Sequence, residues 1–238
     1  MFFLIRLKSV LKFIFGFVLC VSVGVVSSLI LNKINETNSS SKLNYTIVLD
    51  AGHGGIDGGS VGQNTSAKES DLNLAVTKKL ESLLTSFGFN VVLTRSTSDG
   101  LYSQFADNKK LDDMQKRKEK IVKSKANMLI SIHMNSFPNQ YERGAQVFYQ
   151  VGEETSKTLA QSVQDELRKN LVEAREFCNH SDLYILQCIS SPSIVVEGGF
   201  LSNPEEEALL VTESYQEKIA YSIFCGVIKF FEKENAVN

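Results

Sequence analysis

Only three histidines occur in this 238-residue chain, and two of them, His53 and His133, follow short apolar runs. His53 stands in Asp50-Ala51-Gly52-His53-Gly54-Gly55, directly after Thr46-Ile47-Val48-Leu49. His133 closes the run over 127–133, and Glu197 closes Ser193-Ile194-Val195-Val196. Runs of this kind read as buried strands. In open α/β sheets, reactive groups gather just beyond the carboxyl ends of strands. Two imidazoles and a carboxylate are a catalytic zinc set that leaves one coordination position for water. The glycines around His53 permit backbone conformations and close approaches that a Cβ would block. Their spacing matches neither a P-loop nor the dinucleotide fingerprint.

Glu69 is open to two readings. With Ser66 it fits a capping box, in which the glutamate bonds back to the helix cap. It is equally placed to bring a carboxylate to the same edge as His53. Glu197 follows four apolar residues, so its carboxylate lies next to a dry interior. An ionised group there is costly unless it is protonated, paired or close to a metal. His180 lies in an irregular polar stretch and reads as a loop residue. Asp50 is a candidate partner for a ligand histidine or, equally, a loop cap.

These residues need a framework. Strands are expected over 46–49, 89–94, 127–133, 144–151 and 193–197, with a short one over 183–187. A helix is expected from Leu72 to its stop at Gly88. An exposed, charge-laced helix is expected over 111–125. An amphipathic helix follows over 154–171, and residues 172–182 read as irregular. Pro204 marks a helix start. The helix over 215–231 carries an apolar stripe that reads as core packing. Alternating strands and helices predict an α/β fold, a single αβα sandwich around a mainly parallel, mixed sheet.

Residues 13–31 are uncharged and apolar, preceded by Arg6, Lys8 and Lys12. That length suits a membrane-spanning helix, and the basic flank keeps its N-terminal side in the cytoplasm. Residues 1–31 therefore read as a signal anchor, with a cleaved signal peptide as the competitor. Residues 32–44 are a polar linker, and residues 45–234 form the catalytic domain. A net charge of −2 with no basic stripe speaks against nucleic-acid binding. The four cysteines have no C-x-x-C spacing, which excludes a thioredoxin-type motif or a cysteine zinc site. Cys178 and Cys188 could pair in an oxidising space, but they read as free thiols.

Four blocks occur in order: Asp50-Ala51-Gly52-His53-Gly54-Gly55, Lys68-Glu69, Ser131-Ile132-His133-Met134-Asn135, and Val196-Glu197 through Ser202-Asn203. Together they resemble the zinc-dependent N-acetylmuramoyl-L-alanine amidases of the amidase-3 family, over about residues 46–231. The resemblance implies zinc (Zn2+) on His53, Glu69 and His133, with Glu197 as the catalytic carboxylate, and it decides Glu69 as a ligand. Ser70 and Met134 depart from common family residues without removing a ligand. The segment between His133 and Glu197 is too short for the inhibitory helix of some members, and no wall-binding repeat is expected.

The compact, anchored layout resembles the germination-specific amidases of endospore-forming bacteria, which help make cortex muramic-δ-lactam. The implied substrate is peptidoglycan. The implied location is extracytoplasmic, membrane-anchored or secreted, with the forespore intermembrane space as the compartment for a cortex enzyme and an activator protein as a potential partner. The alternatives are a general wall amidase of growth or division, and another zinc peptidase or deacetylase acting on peptidoglycan.

Overall fold

The computed structural model describes residues 43–237. The anchor and nearly all of the linker expected from the sequence lie outside the described residues. Six strands form one sheet in the order β2-β1-β3-β6-β4-β5. They are β1 Thr46–Ala51, β2 Asn90–Leu93, β3 Met128–Asn135, β4 Gln146–Gln150, β5 Asn179–Ser181 and β6 Ser193–Phe200. β2, β1, β3 and β6 run parallel, and β4 pairs antiparallel with β6. The sheet is therefore mixed and the fold is α/β, as the alternating pattern predicts. Among the described residues no helix is long and apolar enough to cross a membrane.

Helices α1 (Glu69–Phe87), α3 (Glu154–Asn170) and α5 (Glu213–Val237) supply the larger core, packing on Ile47, Leu49, Ile130, Ile132, Ile194 and Val196. The opposite face carries a smaller core of Val48, Leu129 and Val195 under Ile121 and Leu186. Helix α2 (Lys109–Ser124) and a 3-10 helix (Tyr184–Gln187) supply those last two residues. α4 (Pro204–Leu210) begins at Pro204, and the Asn203 side chain caps it by accepting from the Glu205 and Glu206 amides.

Three local expectations are corrected, and one of the two readings of Glu69 is closed. Residues 183–187 do not form a strand. Ile185 and Leu186 are both buried, which breaks strand alternation, and i to i+3 bonds from Leu186 N to Leu183 O and Cys188 N to Ile185 O close 3-10 turns. The stretch over 172–182 contains β5, whose polar Asn179-His180-Ser181 pairs with β4 at the sheet edge through backbone alone. α2 is not wholly exposed. Arg117 and Ile121, one helical turn apart, are buried beneath it. The capping box is absent. Lys68 occupies the cap position of α1 without a side-chain bond, and Glu69 points elsewhere. Cys178, Cys188 and Cys225 are free thiols.

Candidate active site

The parallel strands β1, β3 and β6 bring three of the four singled-out side chains to one sheet edge, and the first turn of α1 adds Glu69. His133 and Glu197 are register partners on adjacent strands. The rings of His53 and His133 lie 5.1 Å apart at 77°. Glu69 Oε1 is 3.1 Å from His53 Nε2 and 3.0 Å from His133 Nδ1. One donor atom from each of His53, Glu69 and His133 lies within 4.8 Å of the other two, so this group could hold a metal ion. Two imidazole nitrogens and a carboxylate oxygen suit zinc with an open position. His180, on β5, is exposed and stands apart from this cluster.

Glycine makes the convergence possible. A Cβ on Gly52 would fall 2.1 Å from His133 Cε1. At Gly59, φ is +67° and a Cβ would meet Glu69 Oε2 at 2.5 Å. These two positions leave the donor atoms room to meet. Glu69 is 3% exposed, and its Oε2 accepts the Ser60 amide at 2.9 Å. Asn73 Nδ2 donates to Oε1 at 3.3 Å. Its carboxylate therefore binds the two histidines and the glycine loop rather than a helix cap.

His53 itself adopts φ 61°, an unusual conformation for a residue with a Cβ. Such backbone costs on the order of 1–3 kcal/mol and persists where surrounding contacts over-determine it. Two buried arginines supply those contacts. Arg117 donates through Nη2 to the His53 carbonyl and through Nη1 to the Ala51 carbonyl. Arg95 donates through Nε to Ala51 O at 2.9 Å, and through Nη2 to Gly52 O at 2.9 Å and Ser70 O at 2.8 Å. Burial and the neighbouring Arg117 lower the Arg95 pKa to about 10, so it stays charged at neutral pH.

Asp50 balances the Arg117 charge, with Oδ1 at 2.8 Å from Nη1. Thr94 and Ser131 hydroxyls also donate to Asp50, at 2.6 and 2.7 Å. Burial opposes its charge, but Arg117 and these hydroxyls outweigh it and hold the pKa at about 2. Asp50 thus secures the loop base and makes no direct bond to a histidine.

The direct partner of His53 is Asp57, which the sequence reading missed. Its Oδ2 lies 3.0 Å from His53 Nδ1, leaving Nε2 facing Glu69. A carboxylate on the second nitrogen is the usual way to orient a metal-binding imidazole. The only available signal was an Asp four residues after the His in the same glycine-rich loop. Burial works against a charged His53, but Glu69 and Asp57 together raise its pKa to about 9 in the metal-free protein.

Glu197 differs from Glu69. Its Oε2 is sealed from solvent and has no hydrogen-bond partner among the described residues. Burial raises its pKa to about 7, with Glu69 pushing the same way against the pull of His133 and His53. A carboxyl poised near neutrality beside a candidate metal group is suited to moving protons. His53, His133 and Glu197 line a cavity of about 280 Å³, walled by Ile56, Tyr102, Met114 and Leu183.

Residues 47–229 match the family model described as N-acetylmuramoyl-L-alanine amidase, amidase-3. The chain is 36% identical over 192 residues to the germination-specific N-acetylmuramoyl-L-alanine amidase of Bacillus subtilis, covering 79% of this chain and 80% of that protein. Its fold is similar to the CwlD amidase of Clostridioides difficile, solved in complex with the GerS lipoprotein. That similarity has a TM-score of 0.76 and 41% identity, covering 79% of this chain and 99% of that one. The catalytic domain of CwlV from Bacillus (Paenibacillus) polymyxa matches with a TM-score of 0.70 and 29% identity, over 79% of this chain and 98% of that one. With the four sequence blocks converging on one sheet edge and the family match spanning the described sheet and helices, the chain belongs to the amidase-3 family of N-acetylmuramoyl-L-alanine amidases.

Proposed function

We propose that this protein is a zinc-dependent amidase that releases stem peptides from peptidoglycan, with His53, Glu69 and His133 holding the metal and Glu197 moving the protons. The observation that carries this reading is the packing of three donor atoms within 4.8 Å beside a buried, unpartnered carboxylate oxygen. When bound, zinc lowers the pKa of a coordinated water and polarises the substrate carbonyl as a Lewis acid. Asp57 holds the His53 ring with Nε2 turned inward, and Ser60 and Asn73 orient Glu69. Glu197 takes a proton from the attacking water and delivers it to the departing alanine nitrogen. The amide between the lactyl group of N-acetylmuramic acid and L-alanine is thereby exchanged for a carboxylate and a free amino terminus.

Metal analysis of the purified protein, with mass spectrometry of digested peptidoglycan, tests both halves. One zinc per chain and a newly freed L-alanine amino terminus are expected. A zinc-free active enzyme would remove the metal from the mechanism, and a deacetylated sugar or internal peptide cut would point to another hydrolase.

The biological setting follows as a narrower proposal. The Bacillus subtilis relative is named for germination, which supports a role in forming cortex muramic-δ-lactam. The CwlD amidase was solved with a lipoprotein, which supports an extracytoplasmic protein partner here. We assign residues 1–31 to a signal anchor or signal peptide, 32–44 to the linker and 45–234 to the catalytic domain. Spores lacking the protein should contain cortex without muramic-δ-lactam, and normal lactam content would return the enzyme to general wall turnover.

A further inference from the structure

The cavity beside His53 and Glu197 is also lined by two lysines, Lys109 and Lys110, on the first turn of α2. Cations are disfavoured there, because the amino end of a helix already carries partial positive charge. Two lysines at the first two positions of α2 go against that preference, and such local conflicts concentrate where function demands them. Lys110 has an evident partner. Its Nζ lies 3.0 Å from Asp57 Oδ1, whose other oxygen holds His53.

Lys109 has none of this kind. Among the described residues no carboxylate pairs with it, although it is half-buried. Its ammonium lies 5.7 Å from the centre of the Tyr102 ring. Tyr102 is itself fixed to the catalytic loop, its hydroxyl accepting the Ile56 amide at 3.0 Å. The ammonium therefore lines the cavity against the Tyr102 ring with no hydrogen bond to a described residue.

We propose that Lys109 is a specificity-determining residue that anchors a carboxylate of the stem peptide, on the leaving-group side of the scissile amide. This rests on the amidase reading of the cavity. The substrate's own chemistry selects the side. The lactyl carboxyl of the sugar is consumed in the amide, and N-acetylated hexosamines are neutral. The carboxylates of the substrate therefore lie on the peptide. The nearest is the free α-carboxylate of a second-position D-glutamate joined through its γ-carboxyl. An ammonium facing that group forms a charge-assisted hydrogen bond, while the corresponding carboxamide offers a weaker, neutral acceptor.

The test uses zinc-loaded full-length enzyme and two synthetic muramyl peptides, identical except that the second residue carries a carboxylate or a carboxamide. Wild type should prefer the carboxylate by about tenfold in kcat/KM, the scale of one charge-assisted hydrogen bond. Lys109→Met should bring that ratio close to one, with the loss appearing in KM. Lys109→Arg should restore most of the preference. Zinc content and thermal unfolding of each variant identify a folding defect, which would lower both substrates alike and leave the ratio intact. Turnover by wild type without preference, or a preference retained by Lys109→Met, overturns the proposal. Cleavage of neither synthetic substrate nor of digested peptidoglycan by wild type, with or without extracytoplasmic extract of the source cells, overturns the amidase reading on which the proposal rests.

Discussion

Replacing Glu197 by glutamine preserves shape and removes a proton acceptor. With His53, Glu69 and His133 proposed as the protein ligand set, Glu197→Gln should keep its zinc and its fold. Turnover should fall by about 10²–10⁴-fold, the usual worth of a positioned acid–base group. Zinc measured on the same sample as stem-peptide release decides the matter, since loss of metal would make Glu197 a ligand. Asp57 calls for a different readout. Asp57→Asn leaves His53 its neighbour but weakens the bond that orients the ring, so zinc affinity should drop by about 10–100-fold. Competition with a chromogenic chelator measures that directly, and unchanged affinity would show that the 3.0 Å contact is incidental.

At the scale of elements, the β1–α1 loop is held from below by α2 and by Arg95 at the end of β2. Arg117 is 1% exposed and bonds Asp50, Asp113 and two loop carbonyls. Arg117→Met should cost about 3–5 kcal/mol, because it leaves buried carboxylates without their countercharge. Urea unfolding of the metal-free domain reports this. A cost under about 1 kcal/mol would show that the carboxylates find other partners.

The same network sets an acid limb. Asp50 is held at about 2, against an ordinary value of 3.8. The folded state therefore favours its ionised form. Its contribution is fully present above about pH 4 and is lost as pH falls through about 2. At roughly 1.4 kcal/mol per unit, that contribution is on the order of 2 kcal/mol. Stability of Asp50→Asn should be lower at neutral pH and should decline less steeply between pH 4 and 2.

At the scale of the whole molecule, the core is described by the residues from β1 onward. Its two hydrophobic clusters draw on β1 through α5. A protein beginning at residue 43 should be soluble and cooperatively folded, and should cleave solubilised peptidoglycan at a rate close to that of the full chain. Aggregation or non-cooperative unfolding would show that the preceding segment belongs to the fold. A reporter fused at the C-terminus should be active only when it functions outside the cytoplasm, as the basic flank of the apolar run predicts.

The sequence alone was sufficient for the central strands β1, β3 and β6, because they are apolar runs bounded by glycine and polar residues. It was also sufficient to place His53, His133 and Glu197 at one edge, because residues that end parallel strands share the sheet's carboxyl edge. Local pattern was insufficient wherever a side chain's partner is distant along the chain. Glu69 fits a capping box by spacing, the family resemblance favours the ligand reading over it, and the approach of His53 and His133 shows the partners that its carboxylate takes instead of the cap. Arg117 reads as one more charge on a polar helix, yet it is buried where two backbone carbonyls and two carboxylates accept its donors. Residues 183–187 read as a short strand, yet 184–187 form a 3-10 helix whose Ile185 and Leu186 share the smaller core with Val195. Periodicity records which face of an element is buried. It carries no record of which polar and charged groups, 44 to 81 residues apart as Thr94, Arg117 and Ser131 are from Asp50, will meet and satisfy one another once the sheet has formed.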